Sequence, residues 1–235
     1  MGASMSGLQI GFVLFPNLTQ LDFTGPLQVL SRLPNSTTHI AAKTREPVPS
    51  DAALALVPTT TFKDCPPIDL LCVPGGFGVD QAIEDDETMA FVRREGARAQ
   101  YVTSVCTGAF VLGAAGLLRG KRATTHWAYH HLLPRVGAIP EKARVVRDGH
   151  VFTGGGVTAG IDFAFTLMNE IAGPQHAQTV QLGLEYDPHP PFQSGSPTSA
   201  PQAVKATADE RYAHRLTAFE EVLDRVAPRI PAKAR

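Results

Sequence analysis

The chain has 235 residues and a formal net charge of −1 at pH 7, from 21 Lys and Arg against 22 Asp and Glu. Hydrophobic residues make up 43% and charged residues 18%, which suffices for a core and is not typical of a disordered chain. The lack of a basic excess argues against binding of nucleic acid, and no apolar run approaches the roughly 20 residues that a membrane span needs. Three cysteines are too few for a disulfide scaffold, so we expect a cytoplasmic protein.

The two ends of the chain are set apart from its middle. The opening segment MGASMSGLQ has neither the charged n-region nor the apolar h-region of a signal peptide. Residues 1–7 are interpreted as an N-terminal extension or a cloning scar. Residues 8–201 are interpreted as a single domain, and residues 202–235 as a C-terminal helical tail.

Apolar runs and turn residues predict strands and helices in alternation. Strands are predicted at residues 8–14, 37–43, 69–73 and 101–105. Helices are predicted from Thr24 to about Leu33, over 85–99, directly after Val105, over 127–133, from Thr158 to Ala172 and over 204–226. A hairpin is predicted over 144–153, with Asp148-Gly149 as a type I′ turn, and a proline-rich loop over 186–201.

This order of elements predicts an α/β fold. Strands that alternate with helices favour a mostly parallel central sheet, covered by helices on both faces. Ligands in such folds bind beyond the carboxyl ends of the strands. Residues that follow strands directly are therefore the first candidates for a site.

Cys106 stands where a predicted strand, YVTSV, meets a predicted helix, TGAFVLG. A side chain at this junction projects at the carboxyl edge of the sheet, and the N-terminus of the helix favours the thiolate over the thiol. The alternative interpretation, a buried core cysteine, stays open. Cys65, in a proline-rich loop, and Cys72, inside an apolar strand, lack this position and are interpreted as structural.

Two further features fall at the same predicted edge. The turn Pro74-Gly75-Gly76 ends a strand, and the N–H groups of Gly76 and Thr107 are candidates for an oxyanion-type hole. The alternative is an ordinary connection from strand to helix. Asp22 follows the first strand, just ahead of the predicted helix, where its carboxyl group is placed to exchange a proton with the thiol; a loop or capping residue is the alternative.

The remaining motifs do not predict a cofactor or a metal. His126 and His130 have i, i+4 spacing, but Trp127 stands where H-E-x-x-H has glutamate and no third ligand suggests itself. Hydrogen-bonded structural histidines are therefore favoured over a metal pair. Gly160 is one residue too far along for a dinucleotide fingerprint, and Arg122 stands where a Walker motif needs Ser or Thr.

The PGG turn, the block TSVCTGAFVLGAAGLLRGKRATTHW and the segment GGGVTAGID resemble the DJ-1/PfpI superfamily. The resemblance is closest to the branch that hydrates isonitriles, which carries Asp in LDFTGP where many relatives carry Glu. DCPPIDLLCVPGG, VVRDGHVFTGGG and LEYDPHPPFQSGSP extend it over about Leu8 to Pro201. It implies a flavodoxin-like three-layer sandwich of the class I glutamine amidotransferase type, a homodimer, no cofactor, and a lyase that converts isonitriles to N-substituted formamides.

The resemblance also implies roles for individual residues. Cys106 matches the family nucleophile, and Asp22 matches its acid–base partner, a proton shuttle whose pKa is raised beside the sulfur. Thr107 matches a residue that positions the sulfur. Gly155 and Val157 match the segment that packs against the nucleophile helix, where relatives often carry Ile in place of Val157. The implied reaction passes through a covalent cysteine thioimidate.

Three alternatives remain open. One is a glyoxalase- or amidase-like enzyme of the same superfamily, which keeps the cysteine and changes the substrate. Another is a ligand sensor, although such sensors carry a separate DNA-binding module and only 34 residues follow Pro201 here. The last is a redox or stress protein without turnover.

The tail helix adds an expectation about assembly. Its apolar residues Leu216, Phe219, Val222 and Val226 share one face. A lone domain is not expected to cover that face fully, which favours the homodimer.

Overall fold

A computed structural model describes residues 7–232 of the chain. The predicted N-terminal extension lies outside the described residues except for Gly7, as do residues 233–235 of the predicted tail. The strands are β1 Leu8–Val13, β2 Ser36–Ala42, β3 Val48–Pro49, β4 Ala55–Leu56, β5 Thr60–Thr61, β6 Leu70–Val73, β7 Tyr101–Val105, β8 Arg122–Ala123, β9 Ile139–Pro140, β10 Val145–Asp148 and β11 Val151–Gly154. The helices are α1 Gln20–Leu30, α2 Val79–Glu84, α3 Asp86–Gly96, α4 Gly108–Ala114, α5 Ala159–Gly183 and α6 Gln202–Val226, with 3-10 helices at Trp127–Val136 and Ala227–Arg229. Within residues 7–232, no helix is both long and apolar enough to cross a membrane.

The central sheet of the described residues has seven strands, in the order β10-β11-β7-β6-β1-β2-β5. Neighbouring strands are parallel except in the β10–β11 hairpin. The inner strands β6 and β7 are short and have almost wholly buried side chains, as expected for parallel strands between two helical layers; β6 is apolar throughout, whereas β7 also carries Thr103 and Ser104. The prediction of a mostly parallel sheet is confirmed.

Helices cover both faces of this sheet. On one face α1 packs against α5. On the other, α4 contacts β6, β7, α2 and α3, and α6 contacts α2 and the 3-10 helix Trp127–Val136. The predicted flavodoxin-like three-layer sandwich is therefore confirmed. Because β1, β6, β7 and β11 are parallel, their carboxyl ends meet at one edge of the sheet.

The first helix begins earlier than predicted. It starts at Gln20 rather than Thr24, so Asp22 lies in its first turn and not in a preceding loop. Pro26, interpreted as a residue of the first turn, lies inside the helix. Since proline has no N–H, it leaves the Asp22 carbonyl without its usual i+4 donor.

The hairpin is present, but its turn lies one residue further on than predicted. Asp148 pairs with Val151, so the loop residues are Gly149 and His150. Gly149 has a φ of 65°, whereas Asp148 and His150 have negative φ. A type I′ turn needs positive φ at both central residues, so the predicted Asp148-Gly149 turn of that type was wrong.

Two helical segments also depart from the predicted bounds. Residues 85–99 contain α3, which is preceded by the separate short helix α2. Asp85 lies between them and caps α3, because its side chain accepts a hydrogen bond from the N–H of Thr88. The helix predicted to end at Ala172 does break there, because Gly173 has a non-helical φ of 81° and ψ of 167°; a second helical segment follows directly, so that α5 as a whole extends to Gly183.

The tail helix α6 packs on its own chain. Its residues Phe219, Val222, Leu223 and Val226 are buried, and the helix contacts α2 and the 3-10 helix Trp127–Val136. Of the four residues predicted to share this face, only Leu216 is half-buried, so the chain itself covers most of the face that a lone domain was not expected to cover fully. The face therefore gives no support for a dimer.

Candidate active site

Cys106 lies between β7 and α4 in a backbone conformation that residues with a Cβ rarely adopt, with a φ of 55°. Its N–H donates to the carbonyls of Gly154 and Gly155, at 3.1 and 2.8 Å. Its own carbonyl accepts from the Thr125 hydroxyl at 2.7 Å. These bonds hold the backbone from two sides, so that the side chain projects in a fixed direction at the sheet edge.

Asp22 reaches the same place from the first turn of α1 and is fully buried. Its Oδ2 accepts a hydrogen bond from the N–H of Gly75 at 3.0 Å. Its Oδ1 is buried and has no hydrogen-bond partner of good geometry among the described residues. Burial raises the pKa of Asp22 from 3.8 to about 7, against the opposing effects of the Gly75 N–H and the Cys106 thiol.

The pKa of the Cys106 thiol is raised as well. Burial is the largest cause, and the charge of Asp22 is the next. The N–H and hydroxyl of Thr107 act in the opposite direction and do not outweigh these two effects. The expectation from the helix N-terminus therefore left out two opposing effects, burial and the neighbouring carboxylate, both of which favour the protonated thiol.

The Pro74-Gly75-Gly76 turn brings the main chain against both groups. A Cβ on Gly75 would lie 2.6 Å from the N atom of Thr107 and 2.9 Å from Oδ2 of Asp22, so only glycine fits there. Gly76, with a φ of 129°, donates its N–H to the Thr107 hydroxyl at 3.0 Å. One donor of the predicted oxyanion pair, the Gly76 N–H, is thus bound to Thr107 in this structure.

Of the remaining residues considered in the sequence, some contact Cys106 and others do not. Gly155 contacts it directly through the backbone hydrogen bond, and the Gly155 N–H in turn donates to the Arg144 carbonyl at 2.9 Å. Val157 is half-buried against the core in the turn that leads into α5. Cys65 and Cys72 are buried elsewhere, and burial raises their pKa values to about 11 and about 12.

The histidines predicted to be structural have different surroundings. His126 caps the 3-10 helix Trp127–Val136, with Nδ1 accepting from the Ala128 N–H at 3.4 Å. Burial lowers the pKa of His126 to about 4. The Nε2 atom of His130 is buried without a hydrogen-bond partner in the described part of the chain. Among residues 7–232, no group of three or more His, Cys, Asp and Glu side chains is placed to hold a metal ion.

A cleft of about 300 Å³ opens beside this site. The PGG turn and Thr107 line one part of it, and Tyr129 lines another. Arg215 and Phe219 of α6 form a wall. The sequence analysis missed these three side chains, although the i, i+4 spacing of Arg215 and Phe219 already places them on one helix face.

Comparison with known proteins gives the family. The sequence profile of the DJ-1/PfpI family matches residues 9–170. The chain belongs to the DJ-1/PfpI family. The match covers every element that meets at the sheet edge, from β1 to β11, and excludes the cleft wall on α6.

Three known proteins match this chain to different extents. An isonitrile hydratase from Pseudomonas putida is 59% identical over 223 residues, which are 95% of this chain and 98% of that protein. A THiJ/PfpI family protein from Pseudomonas syringae has a crystal structure that superposes with a TM-score of 0.89 at 44% identity, covering 95% of this chain and 91% of that one. The HTH-type transcriptional regulator GbdR from Pseudomonas aeruginosa is 25% identical over 185 residues, which are 74% of this chain and 48% of the regulator.

Proposed function

We propose that this protein is a lyase that hydrates isonitriles to N-substituted formamides. The 59% identity to an isonitrile hydratase over nearly the whole of both chains supports this reaction. The observation that carries the proposal is the buried pair of Asp22 and Cys106, in which the carboxyl group has a pKa of about 7. Such a carboxyl group is able both to give and to take a proton at neutral pH.

The first step forms the bond to sulfur. The thiolate of Cys106 attacks the terminal carbon of the isonitrile, and Asp22 passes a proton to that carbon as the C–S bond forms. The product is a thioimidate, R–N=CH–S–Cys106, and Asp22 is left as a carboxylate. The proton on the carbon matters because addition of thiolate alone would leave a carbanion.

The second step consumes water. Asp22 takes a proton from water as the water oxygen adds to the thioimidate carbon, and it passes that proton to the nitrogen. When the resulting tetrahedral intermediate collapses, the hydroxyl proton returns to Asp22, the thiolate leaves and R–NH–CHO is released. The sum is isonitrile plus water to formamide, and the Asp22–Cys106 pair is regenerated.

Neighbouring residues are proposed to position this pair. Thr107, bonded to Gly76, fixes the entrance to α4 and lowers the pKa of the sulfur. Gly155 holds the Cys106 backbone, and Val157 supports the turn before α5. We further propose that the enzyme works in the cytoplasm as a homodimer, and that it needs no metal or cofactor for this reaction.

The test is turnover of cyclohexyl isonitrile, followed by the appearance of N-cyclohexylformamide. We expect turnover by the unaltered protein, its loss in Cys106→Ala and its retention in Cys65→Ala. Methylglyoxal serves as the competing substrate, because its conversion to lactate without isonitrile hydration would establish a glyoxalase-like enzyme instead. Absence of turnover with both substrates would leave the sensor and redox alternatives in place of the proposal.

A further inference from the structure

The cleft beside Cys106 has a positively charged group with no acidic partner. Arg215 lies on α6 at the wall of the cleft and is exposed. Within the described residues, no carboxylate oxygen lies within 4.0 Å of its guanidinium group, whereas Arg225 of the same helix pairs with Glu84. An arginine in a substrate cleft that neighbouring acids leave unneutralised is a candidate for binding an anion.

Arg215 is held in place by an aromatic ring. Its guanidinium carbon lies 3.5 Å from the ring centroid of Phe77, which also lines the cleft. The N–H bonds of a guanidinium group lie in its plane, so stacking on a ring leaves them free to donate at the edge. The stacking therefore orients the group and leaves its hydrogen-bonding capacity unused.

Arg215 lines the same cleft as the residue that follows the proposed nucleophile. Tyr129 lines it together with Thr107, the residue next to Cys106 in the chain. The pKa of Tyr129, raised by burial to about 12, responds to the charges of both Arg215 and Cys106. The Tyr129 hydroxyl thus lies within electrostatic reach of both, and it stays protonated at neutral pH.

We propose that the preferred substrates are isonitriles whose substituent carries a carboxylate, with the isonitrile carbon at Cys106 and the carboxylate on Arg215. This inference rests on the proposed function and names its substrate class. The cleft of about 300 Å³ has room for a substituent of the size of a benzene ring with a small acidic group, since a cavity of roughly 150 Å³ holds benzene. Phe77 and Phe219 supply apolar contacts for the body of such a substituent.

Asp80 and His214 are the other ionisable groups that line the cleft beside Arg215 and Tyr129. Asp80 would favour a cationic substituent. One of its oxygens, however, already accepts the N–H of Gln81 at 2.8 Å, in the first turn of α2, where the helix dipole stabilises an anion. Arg215 has no comparable partner, so we expect its charge to decide the selectivity.

The experiment compares 4-isocyanobenzoate with its methyl ester, which has the same body and no charge. We expect kcat/KM to be about 10- to 100-fold higher for the acid, mainly because its KM is lower. A difference of this size corresponds to one pair of charge-assisted hydrogen bonds. Arg215→Met should bring the ratio close to one, and Arg215→Lys should restore part of it. Arg211→Met is the matched control, because Arg211 is exposed on the same helix and does not line the cleft.

Binding separates failure of this inference from failure of the proposed function. The affinity of Cys106→Ala for the two compounds, measured by calorimetry, tests the carboxylate preference without turnover. Tighter binding of the acid by Cys106→Ala supports the inference if it is lost in Cys106→Ala/Arg215→Met and partly kept in Cys106→Ala/Arg215→Lys, even if neither compound is hydrated. Equal binding and equal kcat/KM for acid and ester, or a preference for 4-(aminomethyl)phenyl isonitrile, would overturn the inference. If Arg215→Met does not fold, the acid-to-ester ratio of kcat/KM is compared between the unaltered protein and Arg215→Lys instead.

Discussion

The carboxylate of Asp22 raises the pKa of the Cys106 thiol, while the thiol lowers the pKa of Asp22. Their titrations are therefore coupled, and they are best described as one pair that holds two protons below about pH 7 and one above it. From the sequence, a raised pKa is expected for Asp22 because it is buried beside a negative sulfur. The direction is confirmed and burial is the main cause, whereas the hydrogen bond with the Cys106 thiol lowers the pKa.

We predict that Cys106 is the first cysteine to react with iodoacetamide at neutral pH. Its thiol has Asp22 beside it as a proton acceptor, and the N–H and hydroxyl of Thr107 favour the thiolate. Burial raises the pKa values of Cys65 and Cys72 as well, to about 11 and about 12, and within the described residues neither of these thiols is hydrogen-bonded to a carboxyl group that could take its proton. Peptide mapping after limited labelling measures the order, and labelling of Cys65 ahead of Cys106 would contradict the prediction.

We predict a homodimer on the strength of the family resemblance and of a second surface. An apolar groove of about 450 Å³ between α1 and α5 is lined by Leu21, Val29, Ile161 and Leu184. Light scattering should give a mass of about 50 kDa, twice the chain mass of 25.1 kDa. A mass near that of one chain over a wide range of concentration would rule the dimer out.

The inner strands and the position of Cys106 could be predicted from the sequence for one physical reason. Strands buried on both faces are short and rich in apolar and β-branched residues, so β7 was predicted with its observed bounds, and the residue after it had to lie at the sheet edge. The start of α1 could not be predicted as easily. Its N-cap, Thr19, makes no side-chain capping bond, and Pro26 gives a false signal for a first turn.

The cleft wall depends on contacts between residues far apart in the chain. Arg215 meets Phe77 only because α6 packs against α2, and no local pattern in either segment reports that contact. The amphipathic pattern of α6 indicates a buried face but does not say which surface covers it. Here most of that surface belongs to the same chain, which the pattern alone could not indicate.

We predict that Gly75→Ala destabilises the fold and lowers turnover together. The added Cβ would lie 2.6 Å from the N atom of Thr107 and 2.9 Å from Oδ2 of Asp22, both of which must then move. The expected cost is about 1–3 kcal/mol in the free energy of unfolding, measured by urea denaturation. Gly183→Ala is the control, because a Cβ there meets no atom within 4 Å. Unchanged stability and turnover in Gly75→Ala would show that the turn is less closely packed than described.

We predict that ionisation of the buried Asp22 carboxyl group lowers the free energy of unfolding as pH rises. Its pKa is about 7 in the folded protein against 3.8 ordinarily, so its contribution is most favourable below pH 4 and is lost as pH rises through 7. The Asn side chain of Asp22→Asn does not titrate. The free energy of unfolding of this variant, relative to that of the protein with Asp22, should therefore increase over this pH range by up to about 4 kcal/mol. Both proteins are compared in a Cys106→Ala background, so that the thiol does not titrate with the carboxyl group. A difference that does not change with pH would contradict the raised pKa.

We predict, finally, that Asp22→Asn has opposite effects on two reactions of Cys106. The substitution removes the charge that raises the pKa of the thiol, so the thiolate fraction and the rate of alkylation by iodoacetamide should increase. Isonitrile turnover should fall by about 100- to 10,000-fold, because the amide cannot deliver the proton that the isonitrile carbon needs. Asp22→Glu keeps the acid with a longer reach and should retain part of the turnover.

The pH profile of turnover gives the same test without a substitution. Below about pH 7 the pair holds two protons and cannot release thiolate to the substrate, so kcat/KM for a neutral isonitrile should fall about tenfold for each pH unit in that range. In Asp22→Asn the change of slope near pH 7 should disappear along with most of the rate, and the pH dependence that remains should follow the titration of the thiol alone. If Asp22 were only a capping residue, the Asn variant would lose about 1 kcal/mol of stability and keep both its turnover and the profile of the unaltered protein. Melting temperature, alkylation rate and turnover measured on the same preparations distinguish the two roles.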